Sequence, residues 1–434
     1  MKFSDFSKAS QQFNQFSPEM KEQMMRMAKA RIQEKLKKWL ATPSFVVLAI
    51  LIGAVVGALT ACFGDIMDRL NNIRDAYPLY IIPFLALGGV GIVFAFRKWG
   101  KWSDRGMDQV FAVGLNKEAN LPLISIPMAA VGSWITQFLG GSAGREGAAM
   151  QIGSALSYNI SKKLPFENAG HIMLVTGMAA GFAGIFQTPM AATAFALEVL
   201  LVGHFELAAL LPAAAAAFTA SEVSALLGFH KFTANIDAFT IDAHLIVKIA
   251  LLGILFGILG GGFAKLLSLS RDFAEKKFQN PIKRVAILGV SLSALLLLLF
   301  QGRYAGLGTN LLASCFSGNT ADIYAFDWVF KFALTIVTLS AGFVGGVATP
   351  LFAIGATFGA FASTLFGIPL PLAAALGFSA VFASATNTLW APILIGLEIF
   401  GFDCAPAFFV VCVVAYACNG GQSIYKQKKI RIKL

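Results

Sequence analysis

The sequence predicts an all-α protein that crosses a membrane many times, and three observations carry that prediction. Hydrophobic residues make up 57% of the 434 and charged residues only 13%, about half the charged share of a soluble globular chain. The apolar residues come in unbroken runs, such as Phe45 to Cys62 and Val285 to Phe300, not in the alternation of a barrel strand. Runs of that kind approach the ~20 residues that cross the hydrocarbon as a helix. The chain also carries 42 glycines, which let membrane helices approach closely and break inside the bilayer. The same composition, with a mean hydropathy of +0.71, excludes a disordered chain, a coiled coil and a cytosolic enzyme.

The elements follow in order. Ser17 and Pro18 open a first helix, as a capping residue followed by a proline in the first turn. Met20, Met24, Ala28, Ile32, Leu36 and Leu40 recur every four residues with Lys and Arg between them. Residues 1–42 therefore read as an amphipathic region leading into the membrane domain, either lying in the interface or capping that domain from the cytosol. They do not read as a signal peptide, since no apolar core with a small-residue cleavage site follows a short basic stretch. Apolar spans are predicted near 43–63, 79–96, 121–139, 169–187, 205–227, 245–268, 285–301, 328–343, 350–366, 370–385 and 404–418. Shorter stretches between them are broken by Gly and Pro. The membrane domain is predicted over 43–426, and a basic tail over 427–434.

The net charge of +11 invites a nucleic-acid reading, but its placement argues for a membrane. Residues 1–38 carry nine Lys/Arg against four Asp/Glu, and the last nine residues carry five bases and no acid. Further bases lie at Arg97, Lys98, Lys101 and Arg105, at Lys162 and Lys163, and between Arg271 and Arg284, whereas the stretch 317–327 holds Asp322 and Asp327 with no base. Basic flanks mark the cytoplasmic side, so both termini are expected there, with the acidic stretch outside. The five cysteines and four histidines show no metal or nucleophile spacing. No cofactor and no nucleic-acid partner is expected.

An internal repeat divides the chain into halves of about 43–228 and 245–426. Gly140-Gly141-Ser142-Ala143-Gly144 is followed by Gly181 to Phe186, Pro189 and Leu197-Glu198. The second half repeats the order with Gly345 to Pro350, Gly377 to Phe382, Pro392 and Leu397-Glu398. Paired halves with broken helices point to a transporter whose site lies near the midplane. The sharpest segment is Gly140 to Met150. A helix N-terminus there presents unpaired N–H groups and partial positive charge to an anion, and Arg145 and Glu146 are ionisable residues at membrane depth. Glu146 can occupy an anion site when ionised and leave it when protonated, so one residue can couple a proton to an anion. The alternatives are a structural Arg145–Glu146 pair or a plain helix cap. The amides of Val347 and Ala348 can face the same anion or belong to an ordinary loop-to-helix start, and a Tyr425 hydroxyl can donate from the tail side or simply anchor the interface. Glu198 and Glu398 occupy matching places in the two halves, which favours a structural role such as bonding to backbone ends.

Gly144-Arg145-Glu146-Gly147 after a Gly-Ser turn, Gly346-x-x-x-Pro350 in the second half and the late Tyr425 together resemble the CLC family of anion channels and anion/proton antiporters. The resemblance covers about 43–426. It implies a CLC-type inverted repeat of about eighteen tilted, partly broken helices, and a homodimer with one pathway per subunit. It places Glu146 as gate and proton carrier, with Met107, Gly144, Arg145, Gly147, Val347, Ala348 and Tyr425 around the anion. Four departures from the chloride-type members are present. Gly106-Met107-Asp108-Gln109-Val110 stands for their Gly-Ser-Gly-Ile-Pro, Ala148 for a proline, and Ala348 for an aromatic. Val199 stands where the inner proton-transfer glutamate would fall. These changes look like the fluoride/proton antiporter branch, which implies fluoride expulsion by proton antiport across a bacterial inner membrane. A chloride or nitrate antiporter, or a passive channel on the same scaffold, is the competing reading.

Overall fold

The computed structural model describes residues 18–100, 106–118, 120–234, 236, 239, 241–317 and 322–429, with side chains before residue 42 described only at 20, 23 and 26. The predicted Ser17 cap, most of the amphipathic face, Lys101, Arg105 and the end of the tail lie outside the described residues. Among the described residues the regular structure is all helix apart from one pair of two-residue strands. Sixteen α-helices of eight residues or more are present among the described residues. The first half comprises α1 (Pro18–Ala76), α2 (Leu85–Trp99), α3 (Met107–Gly114), α4 (Ser125–Phe138), α5 (Glu146–Ser161), α6 (Ala169–Phe186), α7 (Pro189–Glu198) and α8 (Leu210–Leu226). The second comprises α9 (Ala243–Lys277), α10 (Pro281–Leu298), α11 (Thr309–Phe316), α12 (Asp327–Ala341), α13 (Ala348–Phe366), α14 (Leu370–Thr386), α15 (Trp390–Phe400) and α16 (Ala405–Ala417). The order of long, short and broken helices is the same in both. The opening span of each half, Thr42–Ala76 and Ala243–Lys277, has 35 residues.

Among the described residues, seven helices are long and apolar enough to cross a bilayer. Burial separates the inner helices from the outer ones: the apolar windows of α6 and α13 are 83% and 72% buried, against 28% for α10. The inner helices touch through glycine. A methyl on Gly153 of α5 would run into the carbonyl of Gly177 on α6, and a methyl on Gly355 of α13 would run into that of Gly377 on α14. The same device recurs in each half because a backbone-to-backbone approach needs a residue with no Cβ.

Two sequence boundaries move, for physical reasons. The first span runs on past residue 63 to Ala76. Its polar end is held by an Asp65–Arg69 pair at 2.9 Å and by buried Arg74, which donates to Asn71 at 2.6 Å and to the Gln137 carbonyl at 2.7 Å. The basic stretch 271–284 is mostly helical, and the break falls at residues 278–280. There Asn280 caps α10 by accepting from the Ile282 amide at 3.0 Å, while Asp242 caps α9 from Leu245 at 2.7 Å. The acidic stretch is also engaged, since Asp327 takes Arg303 as a two-point partner at 3.1 and 2.8 Å and the Tyr304 hydroxyl at 2.8 Å.

Candidate functional site

The two glycine-rich turns meet. Gly144 donates to the Gly346 carbonyl at 2.7 Å, and Gly346 donates back to Gly144 at 2.8 Å, an antiparallel bridge between equivalent residues of the two halves. Around it the turn is pinned by polar groups of α4 and α12. The Ser142 hydroxyl lies 2.9 Å from that of Thr335, the Ser142 amide donates to Thr338 at 3.1 Å, and the Gln137 amide donates to the Ala143 carbonyl. Helices α5 and α13 start immediately after the bridge, so two helix N-termini converge on one buried spot.

The Glu146 carboxylate fills that spot and is fully buried. Its Oε1 accepts from the Ala348 amide at 2.5 Å. Its Oε2 accepts from the Arg145 amide at 2.9 Å and from the Thr349 hydroxyl at 3.1 Å. These three donors are neutral, and two of them are backbone groups at helix starts, which is the environment an anion takes. Space is tight: a methyl on either Gly144 or Gly346 would run into the carboxylate. Gly147 faces the bridge as well, 3.3 Å from its would-be Cβ to the Gly346 Cα and 3.7 Å to the Met107 side chain.

The other predicted residues divide. Ala348 is buried and its amide is on the carboxylate; Val347 is the buried residue that caps α13. Met107 opens α3 and packs beside Gly147. Tyr425 is half-buried, stacked on Phe111 of α3 with ring centres 5.1 Å apart and edge-on to Phe195 at 5.9 Å. The next residue holds the tail to the same helix, Lys426 to Asp108 at 2.7 Å. Arg145 does not pair with Glu146. Its guanidinium bonds Asp68 at 2.6 Å and lies over the Phe229 ring at 5.1 Å, so its amide alone contacts the carboxylate.

Glu198 and Glu398 lie away from this centre and form crossed caps. Glu198, the last residue of α7, accepts from the amides of Leu389, Trp390 and Ala391 at the start of α15, at 3.2, 3.2 and 2.8 Å. Glu398, near the end of α15, accepts from Met190 and Ala191 at the start of α7, at 3.0 and 2.8 Å. Each helix thus ends the other's run of unpaired donors. Val199, next to Glu198, is buried and apolar.

Sequence reasoning missed Thr349, Asp68 and Phe111. A hydroxyl in the first turn of a helix, just before Pro350, is the signal that would have found Thr349. Asp68 and Phe111 come from distant segments and carry no local sign. Among the described residues no group of three His, Cys, Asp or Glu side chains could hold a metal ion.

Comparison with known proteins adds a second line. Residues 88–420 match the family model of voltage-gated chloride channels. A chloride/fluoride channel protein of Pseudomonas syringae pv. tomato is 31% identical over 418 residues, 93% of this chain and 90% of its own length. An H(+)/Cl(-) exchange transporter of Salmonella arizonae is 24% identical over 384 residues, 82% of this chain and 78% of that protein. Among solved structures, a CLC-type fluoride/proton antiporter is similar with a TM-score of 0.87 at 44% identity, covering 89% of this chain and 98% of that one. A slow cyanobacterial Cl-/H+ antiporter shares the fold, with a TM-score of 0.75 at 19% identity, covering 88% of this chain and 96% of that one.

Proposed function

The chain belongs to the CLC family of voltage-gated chloride channel relatives, and we propose that within it this protein is a fluoride/proton antiporter that moves fluoride out of the cell. The observation that carries the reading is the Glu146 carboxylate seated on the N-terminus of α13, held by two amides and one hydroxyl. A carboxylate there is an anion in an anion's place. Fluoride competes for the same three donors, and the carboxylate leaves when it takes a proton, because a protonated acid no longer offers two full acceptors. Protons and anions then cross in opposite senses through one residue.

Fluoride is small, and stripping its water is costly. Short, fixed N–H donors offset part of that cost, and the converging starts of α5 and α13 supply them. Met107 supports the choice of anion: its thioether has no proton to donate, so chloride gains no side-chain bond from it. The 44% identity to a chain described as a fluoride/proton antiporter points the same way. We assign one pathway to each subunit of a homodimer in a bacterial inner membrane, with the termini on the cytoplasmic side that the basic flanks favour.

The test is anion efflux from proteoliposomes, with fluoride and chloride compared and external pH followed. Fluoride efflux coupled to proton uptake, with chloride slower, is the expected result. Equal fluoride and chloride rates defeat the fluoride assignment, and anion flux without proton movement makes the protein a passive channel.

A further inference from the structure

Helix α5 runs from Glu146 toward the side of the basic tail, and its three faces have different partners. One lies on α6, where Gly153 meets Gly177 and the Ser157 hydroxyl donates to the Met173 carbonyl. A second packs Ala148 and Ile152 in a cluster with Ala61 of α1 and Ala129 of α4. The third starts at Gly147, which faces the Met107 side chain of α3 and the Gly346 turn. With 3.6 residues per turn, the residues that return to the face of Gly147 are Gln151, Ser154 and Tyr158. Tyr158 lines a cavity of about 1230 Å³ whose wall also holds Gly114 at the end of α3 and Lys428 of the tail. At ~1.5 Å per residue, this face covers roughly 18 Å between Glu146 and the cavity.

The third face carries no charge, and the protein does not satisfy its polar groups. Gln151 Nε2 and Ser154 Oγ are buried and have no hydrogen-bond partner among the described residues. On α3, Gln109 is buried as well, with Nε2 3.4 Å from the Asn120 carbonyl and Oε1 without a partner among the described residues. The segment it touches is held against α5 by Asn159, which donates to the neighbouring Leu121 carbonyl at 2.7 Å. Gln109 therefore belongs to the seam between α3 and α5. A buried polar atom left without a partner costs about 1–3 kcal/mol, and ordered water is what ordinarily partners such atoms inside a protein. The seam offers a donor at Gln151, an acceptor at Gln109 and a hydroxyl that does both at Ser154, which is what a chain of waters needs from its walls.

We propose that the seam between α3 and α5 is a water-filled proton path joining Glu146 to the tail-side cavity, with Gln109, Gln151 and Ser154 as its positioning residues. A proton enters from cavity water and hops along the chain, one O–H bond breaking as the next forms, until it settles on a carboxylate oxygen of Glu146; on release the same steps run backward. The seam suits a proton better than an anion. Its walls are neutral, and α3 and α5 both end on the tail side, where their unpaired carbonyls favour positive charge. Glu198, the acid at the end of α7, is committed to three amides of α15 and does not relay. That protons on this path drive transport rests on the function proposed above; that the seam holds water does not.

The experiment uses the full chain in liposomes and the double variant Gln151→Met/Ser154→Ala, which nearly keeps side-chain volume and removes both polar groups. Proton-coupled fluoride efflux should fall at least tenfold. The same pair is then combined with Glu146→Gln, in which fluoride is expected to move without a proton, and there efflux should change less than twofold. Equal losses in both backgrounds would make the seam an anion path and overturn the proposal, as would wild-type coupled efflux in the double variant. Hydration is read separately by solid-state NMR, through magnetisation transfer from water to the Gln151 side-chain amide, assigned by its loss in Gln151→Met. A water cross-peak is expected in wild type. Its absence means a dry seam and overturns the path, and a dry seam also predicts that the double variant unfolds at a higher temperature than wild type, because its orphaned atoms are gone. If wild type moves no fluoride, the proposed function fails, and the NMR result decides whether the seam is wet.

Discussion

Replacing Glu146 by glutamine tests the gate at its smallest perturbation, because the side chain keeps its length and loses only charge and one acceptor. In the native site the two oxygens take three donors, at 2.5, 2.9 and 3.1 Å. A glutamine oxygen can keep the shortest bond, to Ala348. Its NH2 then faces the Arg145 amide, donor against donor, while the Thr349 hydroxyl can turn round and accept. Hydrogen bonds to a charged group contribute about 1.5–3 kcal/mol each, and neutral ones nearer 1. One bond lost outright and two weakened make the seated state about 3 kcal/mol less favourable, or two orders of magnitude in occupancy at ~1.4 kcal/mol per decade. The neutral side chain also has no proton to release at working pH. In proteoliposomes loaded with fluoride, Glu146→Gln should let fluoride run down its gradient with no accompanying proton movement. Proton uptake at the wild-type ratio in that variant would refute the assignment of Glu146 as proton carrier.

Three further outcomes follow from the geometry. Met107→Ser adds a hydroxyl donor at the start of α3 and should raise chloride efflux relative to fluoride by up to about tenfold, which needs ~1.4 kcal/mol of differential barrier; an unchanged ratio would reduce Met107 to packing. Glu198→Ala orphans three amides, one of them in a buried bond, and Glu398→Ala two in half-buried bonds, at up to about 3 kcal/mol each, so thermal unfolding in detergent should fall further for the first, while Glu198→Gln, if folded, should leave the anion-to-proton ratio unchanged. Gly346→Ala should abolish transport, because its methyl has no room beside the Glu146 carboxylate; efflux at the wild-type rate would mean that the turn is looser than its hydrogen bonds imply.

The sequence made the helical class, the repeat and the placing of Glu146 at a helix start legible because each leaves a local mark: continuous apolar runs, a recurring Gly/Pro order, and a carboxylate set in a glycine-rich turn. It left other features dark because they are made of pairs far apart in the chain. Arg145 beside Glu146 invited an ion pair, yet the partner of Arg145 is Asp68, on the polar helix end beyond the apolar span predicted over 43–63. Buried Lys331, whose ammonium donates to the Gly306 carbonyl at 2.6 Å, sits inside an apolar run and gives no sign of its partners. The crossed caps of Glu198 and Glu398 were half legible: matching positions suggested backbone bonding, but each glutamate had to be seen at the start of the other half's helix.

The two halves meet as equals in backbone and as unequals in side chain. Gly144 pairs with Gly346 in an antiparallel bridge, and counting on from each glycine along the repeat sets Arg145 in the place of Val347, Glu146 in that of Ala348 and Gly147 in that of Thr349. A fully symmetric site would bring two carboxylates into one dry pocket, where like charges cannot both ionise and would hold a shared proton. Such a pair would be a poor gate, since neither acid could leave as a simple function of pH. Here one half supplies the acid, and the other supplies an amide, a hydroxyl and the small Ala348 side chain that leaves the acid room. The symmetry delivers two helix starts to one point, and the sequence difference across it leaves a single carboxylate there.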